Sequence, residues 1–500
     1  MSGRQSMASV GVLVFALSVA WAQDTSTTPP NGGAPDAGAA PQQPAPAYGQ
    51  DNAPPPMTEN PPLSGLDQPG LEPHAAPLSY IQPGASVSES ADSNVASELG
   101  NGDSVRSISR AIGSLTLQRL WKNYDLALQY MGGAAYYDEQ GLGWKMLQQM
   151  DLDQKVTWKR GQFSVRDSFS YLPEGNFGSA YGSLGSQGIA SLGNTAFGSF
   201  WSGASLGTLG LVPRIANVSL ADVSENLTPK SAITVAGGYA FTHFYGTDPV
   251  TGVEYLDNSQ TSAQVGYNRL LSAHTQVALV YGYQGFDFSS VGIDFHSHVI
   301  QLMYGHRISG RMDFLIGAGP QITLIGLACT GIDLLEGNPH CSTDASGNPV
   351  GTIPDTRIGV AGRVRLRYQF PRTSLDLTYE RFETSGSGFF AGAETDLARL
   401  RAERPLSRVW NAFADIGYSR NSRAQPASEG VNANVYTLGF VGVGVHRAIG
   451  RSFHGFISYQ LNELSFDKSL CGTASACNRN SNRQVGTIGL DWTPRPIRID

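Results

Sequence analysis

The chain has 500 residues, with 34 Lys and Arg against 41 Asp and Glu, a net charge of −7, only 15% charged residues and 59 glycines. That length admits two or three soluble domains, while the mild acidity offers no basic stripe for a nucleic acid, so no nucleic-acid partner is expected. Low charge combined with many glycines and aromatics suits a sheet whose outer surface meets lipid.

The chain opens with Arg4, the apolar run Val10 to Val19, and Ala20-Trp21-Ala22. A basic start, a short apolar core and a small-x-small site describe a secretory signal peptide over residues 1–22. The run is shorter than the ~20 residues a spanning helix needs. No later stretch is apolar enough for such a helix, so any insertion into a membrane must use strands.

Residues 23–118 read as a Pro/Ala/Gly-rich linker, with Pro-Pro pairs at Pro29 and Pro61 and the run Pro54-Pro55-Pro56. So few large apolar groups cannot offset chain entropy, and the segment is expected to be disordered and periplasmic. Within it, residues 101–120 alternate Leu115 and Leu117 with Thr116 and Gln118, which fits either a short helix or an early strand.

A different texture holds over residues 119–494. Alternating segments recur from Tyr124 onward, through Trp144 to Trp158, Phe163 to Tyr171, Arg214 to Leu227 and Ser231 to Tyr245, to Asn482 to Trp492. The clearest is Thr356 to Phe382. Its first arm sets Ile358, Val360, Val364 and Leu366 on one parity and Arg363, Arg365 and Arg367 on the other. Its second arm sets Leu375, Leu377 and Tyr379 against Asp376 and Glu380. Successive strand residues point to opposite faces, so each arm has an apolar wall and a charged wall.

Connections near Gly161, Pro229, Ala273, Gly310, Pro371, Ser407 and Gly450 are short, while 173–213, 327–355 and 467–480 are long. Short turns on one side and long loops on the other belong to a transmembrane barrel. The expected fold is all-β: a closed antiparallel transmembrane β-barrel of about 16 strands, within a range of about 14–18, preceded by the disordered Pro-rich segment.

Cys329, Cys341, Cys471 and Cys477 all fall in the long loops. Secretion and close spacing within each pair predict disulfides Cys329–Cys341 and Cys471–Cys477; the C-x2-C spacing of a zinc site is absent. His296 and His298 share a parity with Ile300 and Leu302, which aims them outward at the rim. The glycine-rich stretch 173–210, with Phe177, Phe197, Phe200 and Trp201, either caps the outer mouth or folds inward.

The strongest functional constellation is charge on the lumen face of neighbouring strands: Arg363, Arg365 and Arg367 beside Asp376 and Glu380, then Arg399, Arg401 and Glu403, then Asp415. Arginines facing carboxylates would set a transverse field that filters small polar solutes. The plainer reading is that these charges solvate the wall and neutralise one another. No GxSxG, HExxH, Walker or dinucleotide fingerprint occurs, so no enzyme, catalytic residue, metal or cofactor is expected.

On this pattern, from Trp121 to Trp492, the chain resembles the porin-like outer-membrane β-barrel proteins of Gram-negative-type bacteria. Leu490 and Trp492 look like the final strand such barrels present to the barrel assembly machinery, followed here by a short tail. The resemblance implies outer-membrane lipid and that machinery as partners, a monomer or homo-oligomer, and both the N-terminal linker and the C-terminus in the periplasm. The expected function is a passive channel for small polar solutes; the alternative is a non-conducting surface protein with structural or adhesive loops.

Overall fold

Outward Leu279 and Tyr281 alternate along one strand with inward Gln276, Ala278 and Val280, and this rhythm of exposed apolar and enclosed smaller or polar residues repeats around the molecule. The computed structural model describes residues 79–94, 105–138, 143–174, 211–245, 255–288, 293–329, 331–335, 338–345, 347–386, 390–424, 435–467 and 480–499. The expected signal peptide and residues 23–78 and 95–104 of the expected linker lie outside those residues.

The strands in chain order begin β1 (Tyr80–Asp92), β2 (Arg106–Leu120), β3 (Tyr124–Tyr137), β4 (Gly143–Trp158), β5 (Gly161–Glu174) and β6 (Leu211–Thr228). There follow β7 (Ser231–Phe244), β8 (Asn258–Ser272), β9 (Thr275–Phe288), β10 (Ile293–Ser309) and β11 (Met312–Ala328). A loop carrying the helix α1 (Gly331–Leu335) and the short strand β12 (Cys341–Thr343) leads to β13 (Pro349–Gln369) and β14 (Ser374–Thr384). The chain ends with β15 (Ala393–Pro405), β16 (Trp410–Arg423), β17 (Val435–Ile449), β18 (Phe453–Phe466), β19 (Ser481–Trp492) and a two-residue β20 (Ile497–Arg498).

Leaving aside β12 and β20, each strand pairs antiparallel with the next, and β1 pairs with β19 from Ala85↔Trp492 to Asp92↔Val485. The result is a closed barrel of 18 strands. That is the upper end of the expected range. With ~4.8 Å between strands and ~40° of tilt, the backbone radius is roughly 18 Å.

The barrel begins earlier than the expected boundary at residues 118–119. β1 and β2 both lie within the stretch read as linker, and β1 bonds along its length to β2, from Tyr80↔Gln118 to Asp92↔Arg106. Physically, β1 hides because its outward positions are Ala85, Val87, Glu89 and Ala91, and because Pro83 and Gly84 sit near its start. Pro83 is tolerated there because only β2 is its register partner; β19 begins pairing at Ala85. The stretch 106–120 is a strand, which settles the choice between helix and strand.

Polarity is inverted relative to a soluble sandwich. Ile358, Val360, Leu377, Leu400, Ile416 and Ile457 stand exposed on the outer face, while Asp92, Gln149, Ser297, Thr395, Asp415 and Ser419 are buried on the inner one. Trp144 and Trp158 point outward as the alternation requires. Gln148 and Gln154 share their parity, and β4 pairs with β3 and β5 without a register shift, so no bulge redirects them.

One stretch breaks the cylinder. β13 pairs with β11 up to Thr352, but with β14 only from Gln369↔Ser374 to Gly362↔Arg381. Beyond Arg381 the β14–β15 hairpin tip leaves the wall and turns inward. Glu383, on the outer parity of β14, bonds to Thr323 on the inner face of β11. Gly386 and Gly392 take positive φ at the bend, 77° and 87°, a region open to glycine at little steric cost. Phe390 then packs with Tyr436, Leu438, Phe440, Leu464 and Phe466, whereas Ala391 packs with Phe286, Phe288, Phe295 and Ile325. The tip therefore joins an inner cluster on β9–β11 to one on β17–β18.

The connection from β11 to β13 carries the disulfide Cys329–Cys341, with Cα atoms 5.7 Å apart. The second expected disulfide, Cys471–Cys477, lies outside the described residues, as does the stretch 175–210.

Candidate lumen site

Alternation along β13 sends every arginine of Arg363, Arg365 and Arg367 to the face opposite exposed Val360 and Val364. The hairpin turn at 370–373 then sets β14 so that its acids meet them. Arg363 Nε lies 3.1 Å from Glu380 Oε1, and Arg365 donates from Nε and Nη2 to Asp376 Oδ2 at 3.0 and 2.9 Å. Arg367 turns the other way, donating to Asp313 on β11 from Nε at 3.0 Å and Nη2 at 2.5 Å. On β15 and β16, Arg399 donates from Nε to Asp415 Oδ1 at 2.9 Å, and Arg401 Nε reaches the same carboxylate at 3.3 Å. Glu403 accepts from Asn411 Nδ2 at 2.5 Å.

All nine residues singled out from the sequence thus fall into one belt across β13–β16. The member that sequence reasoning missed is Asp313. It stands at the foot of β11, opposite Arg367 in register, and its own parity with Gln321 was the available signal. Each guanidinium in the belt has a carboxylate within reach, which offsets much of the cost of enclosing charge. The belt is therefore a set of oriented dipoles rather than a row of bare cations.

About half a turn round the barrel lies a second ionised cluster. Arg166 on β5 sits between Asp153 on β4, at 3.6 Å, and Asp222 on β6, at 3.3 Å, and Ser164 donates to Asp222 at 2.7 Å. Asp151 accepts from Gln149 Nε2 at 2.7 Å and from Ser168. Carboxylates outnumber guanidiniums here, whereas in the opposite belt five guanidiniums are matched by five carboxylates once Asp313 is included. The wall between them, on β8 to β10, is uncharged through most of its height and rich in amides: Asn258, Gln260, Asn268, Gln276 and Gln284.

His296 and His298 face outward, as expected. Tyr283 Oη lies 2.9 Å from His296 Nδ1 and Tyr281 Oη 2.8 Å from His298 Nδ1, which ties both rings to the neighbouring strand. Among the described residues no group of three or more His, Cys, Asp or Glu side chains is placed to hold a metal ion.

The architecture is a closed antiparallel β-barrel of 18 strands with an apolar outer face and a polar, charged inner one. No family model matches the chain, and no curated protein matches it either. Among solved structures it is similar to Pseudomonas aeruginosa OccK5 (OpdH), at 11% identity and a TM-score of 0.39, covering 84% of this chain and 98% of that one. It is also similar to Pseudomonas aeruginosa OccK2 (OpdF) in complex with glucuronate, at 9% identity and 0.39, with the same coverage of 84% and 98%. Acinetobacter baumannii OccAB2 matches at 8% identity and 0.41, again covering 84% and 98%. At these values the likeness carries no weight for function.

Proposed function

We propose that this protein is a passive channel for small polar solutes in a bacterial outer membrane, with the ends of the described chain on the periplasmic side. The observation that carries this reading is the contrast between the walls: large apolar side chains outside, and an ionised belt with an opposing acidic cluster inside one closed ring of strands. A barrel of this circumference is wide enough for an aqueous path, and opposed charges across it orient polar solutes. The described residues of the infolded tip, Ser385, Gly386 and Phe390 to Gly392, supply a constriction, because they pack inside the wall near the end where the long loops lie.

Outer-membrane lipid would meet Ile358, Leu377, Ile416 and their neighbours. The barrel assembly machinery would meet the closing strand at Trp492, and self-association would use the outer wall. Planar-bilayer recording of refolded protein tests the channel reading: discrete ohmic steps support it, and a silent bilayer at every voltage overturns it in favour of a surface role.

A further inference from the structure

Arg399 on β15, Gly417 on β16 and Phe440 on β17 stand abreast on the inner wall, as the register partners Arg399↔Gly417 and Gly417↔Phe440. Any side chain at the middle position would separate the outer two. Gly417 has none, and a Cβ built there would fall within the Phe440 ring. The ring therefore lies across the bare backbone of the neighbouring strand, and the Arg399 Cζ stands 5.7 Å from its centroid. On its other side Arg399 is held by Asp415, two residues along β16 from the glycine, at 2.9 Å from Nε. An aromatic face and a carboxylate thus clasp one guanidinium, and both attractions strengthen where water is scarce. Arg401 shares Asp415 but stays more open, its side chain 31% exposed against 10% for Arg399.

We propose that Gly417 and Phe440 determine the ion selectivity of the lumen by positioning Arg399: they seat its charge against Asp415, withhold it from passing solutes, and leave Arg401 as the cation those solutes meet. This rests on the channel reading. Neither residue carries charge, so neither stands out in a survey of ionised groups. The glycine acts by leaving a gap and the phenylalanine by filling it.

The test is the reversal potential of refolded protein in a planar bilayer under a salt gradient, for the wild type, Gly417→Ala and Phe440→Leu, each also combined with Arg399→Ala. Heat-modifiable migration on a gel checks that each variant has folded. Gly417→Ala displaces the ring, releases Arg399 toward the lumen, and raises the anion-to-cation permeability ratio by about two- to fivefold, the population shift that one cation–π contact supports. Phe440→Leu keeps bulk but loses the aromatic face; it moves the ratio the same way, and it carries the test if Gly417→Ala does not refold. Both shifts disappear when Arg399 is Ala. An unchanged ratio, or a shift that persists without Arg399, overturns the proposal while leaving the channel reading intact. A wild-type protein that gives no conductance overturns both.

Discussion

Phe390 and Ala391 are consecutive in the chain yet pack in two separate inner clusters, the ring against Tyr436 at 5.2 Å between centroids and the methyl with Phe286, Phe288, Phe295 and Ile325. A turn that grips both clusters is braced rather than hanging. Arg423 adds to the grip, its guanidinium 4.9 Å from the centroid of Phe390. Phe390→Ala removes the larger anchor, at a cost of about 3–5 kcal/mol for a buried ring. The expected outcome is larger and noisier single-channel steps together with a lower melting temperature; steps of wild-type size would mean the tip is not the constriction.

The arginine belt should govern selectivity through its most exposed members, Arg365 and Arg401. Arg365→Ala combined with Arg401→Ala removes two guanidiniums from the lumen while leaving Asp376 and Asp415 in place, so local charge shifts negative. Any anion preference measured from the reversal potential should weaken or change sign. Unaltered selectivity would reduce the belt to a solvated wall.

The seam where the last strand meets the first is also charged. Asp92 on β1 is fully buried and accepts from Arg483 on β19, with Asn94 bonded to Ser481 beside it. Arg483→Ala leaves an enclosed carboxylate without its guanidinium, which typically costs about 3–5 kcal/mol. Thermal unfolding followed by heat-modifiable gel migration should shift clearly downward, and the added change Asp92→Asn should restore much of the loss. Equal melting of the single and double variants would remove this pair from the account of closure.

The disulfide Cys329–Cys341 lies beyond the strands that form the ring. Reducing it should leave barrel melting nearly unchanged while making the connection between the two cysteines newly sensitive to protease. Limited proteolysis with and without reductant, read by mass spectrometry, checks both halves of that expectation.

Much of this architecture was legible in single-strand alternation. The wall of arginines on β13 and its acidic partners on β14 follow from parity alone, because within the two strands all the outward positions between Ile358 and Tyr379 except Gly362 are Val, Leu, Ile or Tyr. β1 was not legible, since only Val87 among its outward positions at 85–91 is a large apolar residue and its inward ones at 86–92 are Ser and Asp, which is also how a disordered linker reads. The infolded tip was not legible either. Its apolar residues sit among glycines in a short connection, whereas length and aromatic content drew attention to 173–210, which lies outside the described residues. The Arg399, Gly417 and Phe440 trio depends on register between three strands, and register across a sheet leaves no mark on any one of them.

Where the hairpin tip slides in behind β13, the molecule is two sheets thick. Glu383 shows the result: counted along its strand it should face hydrocarbon, yet it is sandwiched between laminae of protein and bonded to Thr323. An acidic group that a bilayer would reject is admitted there because the bilayer never touches it.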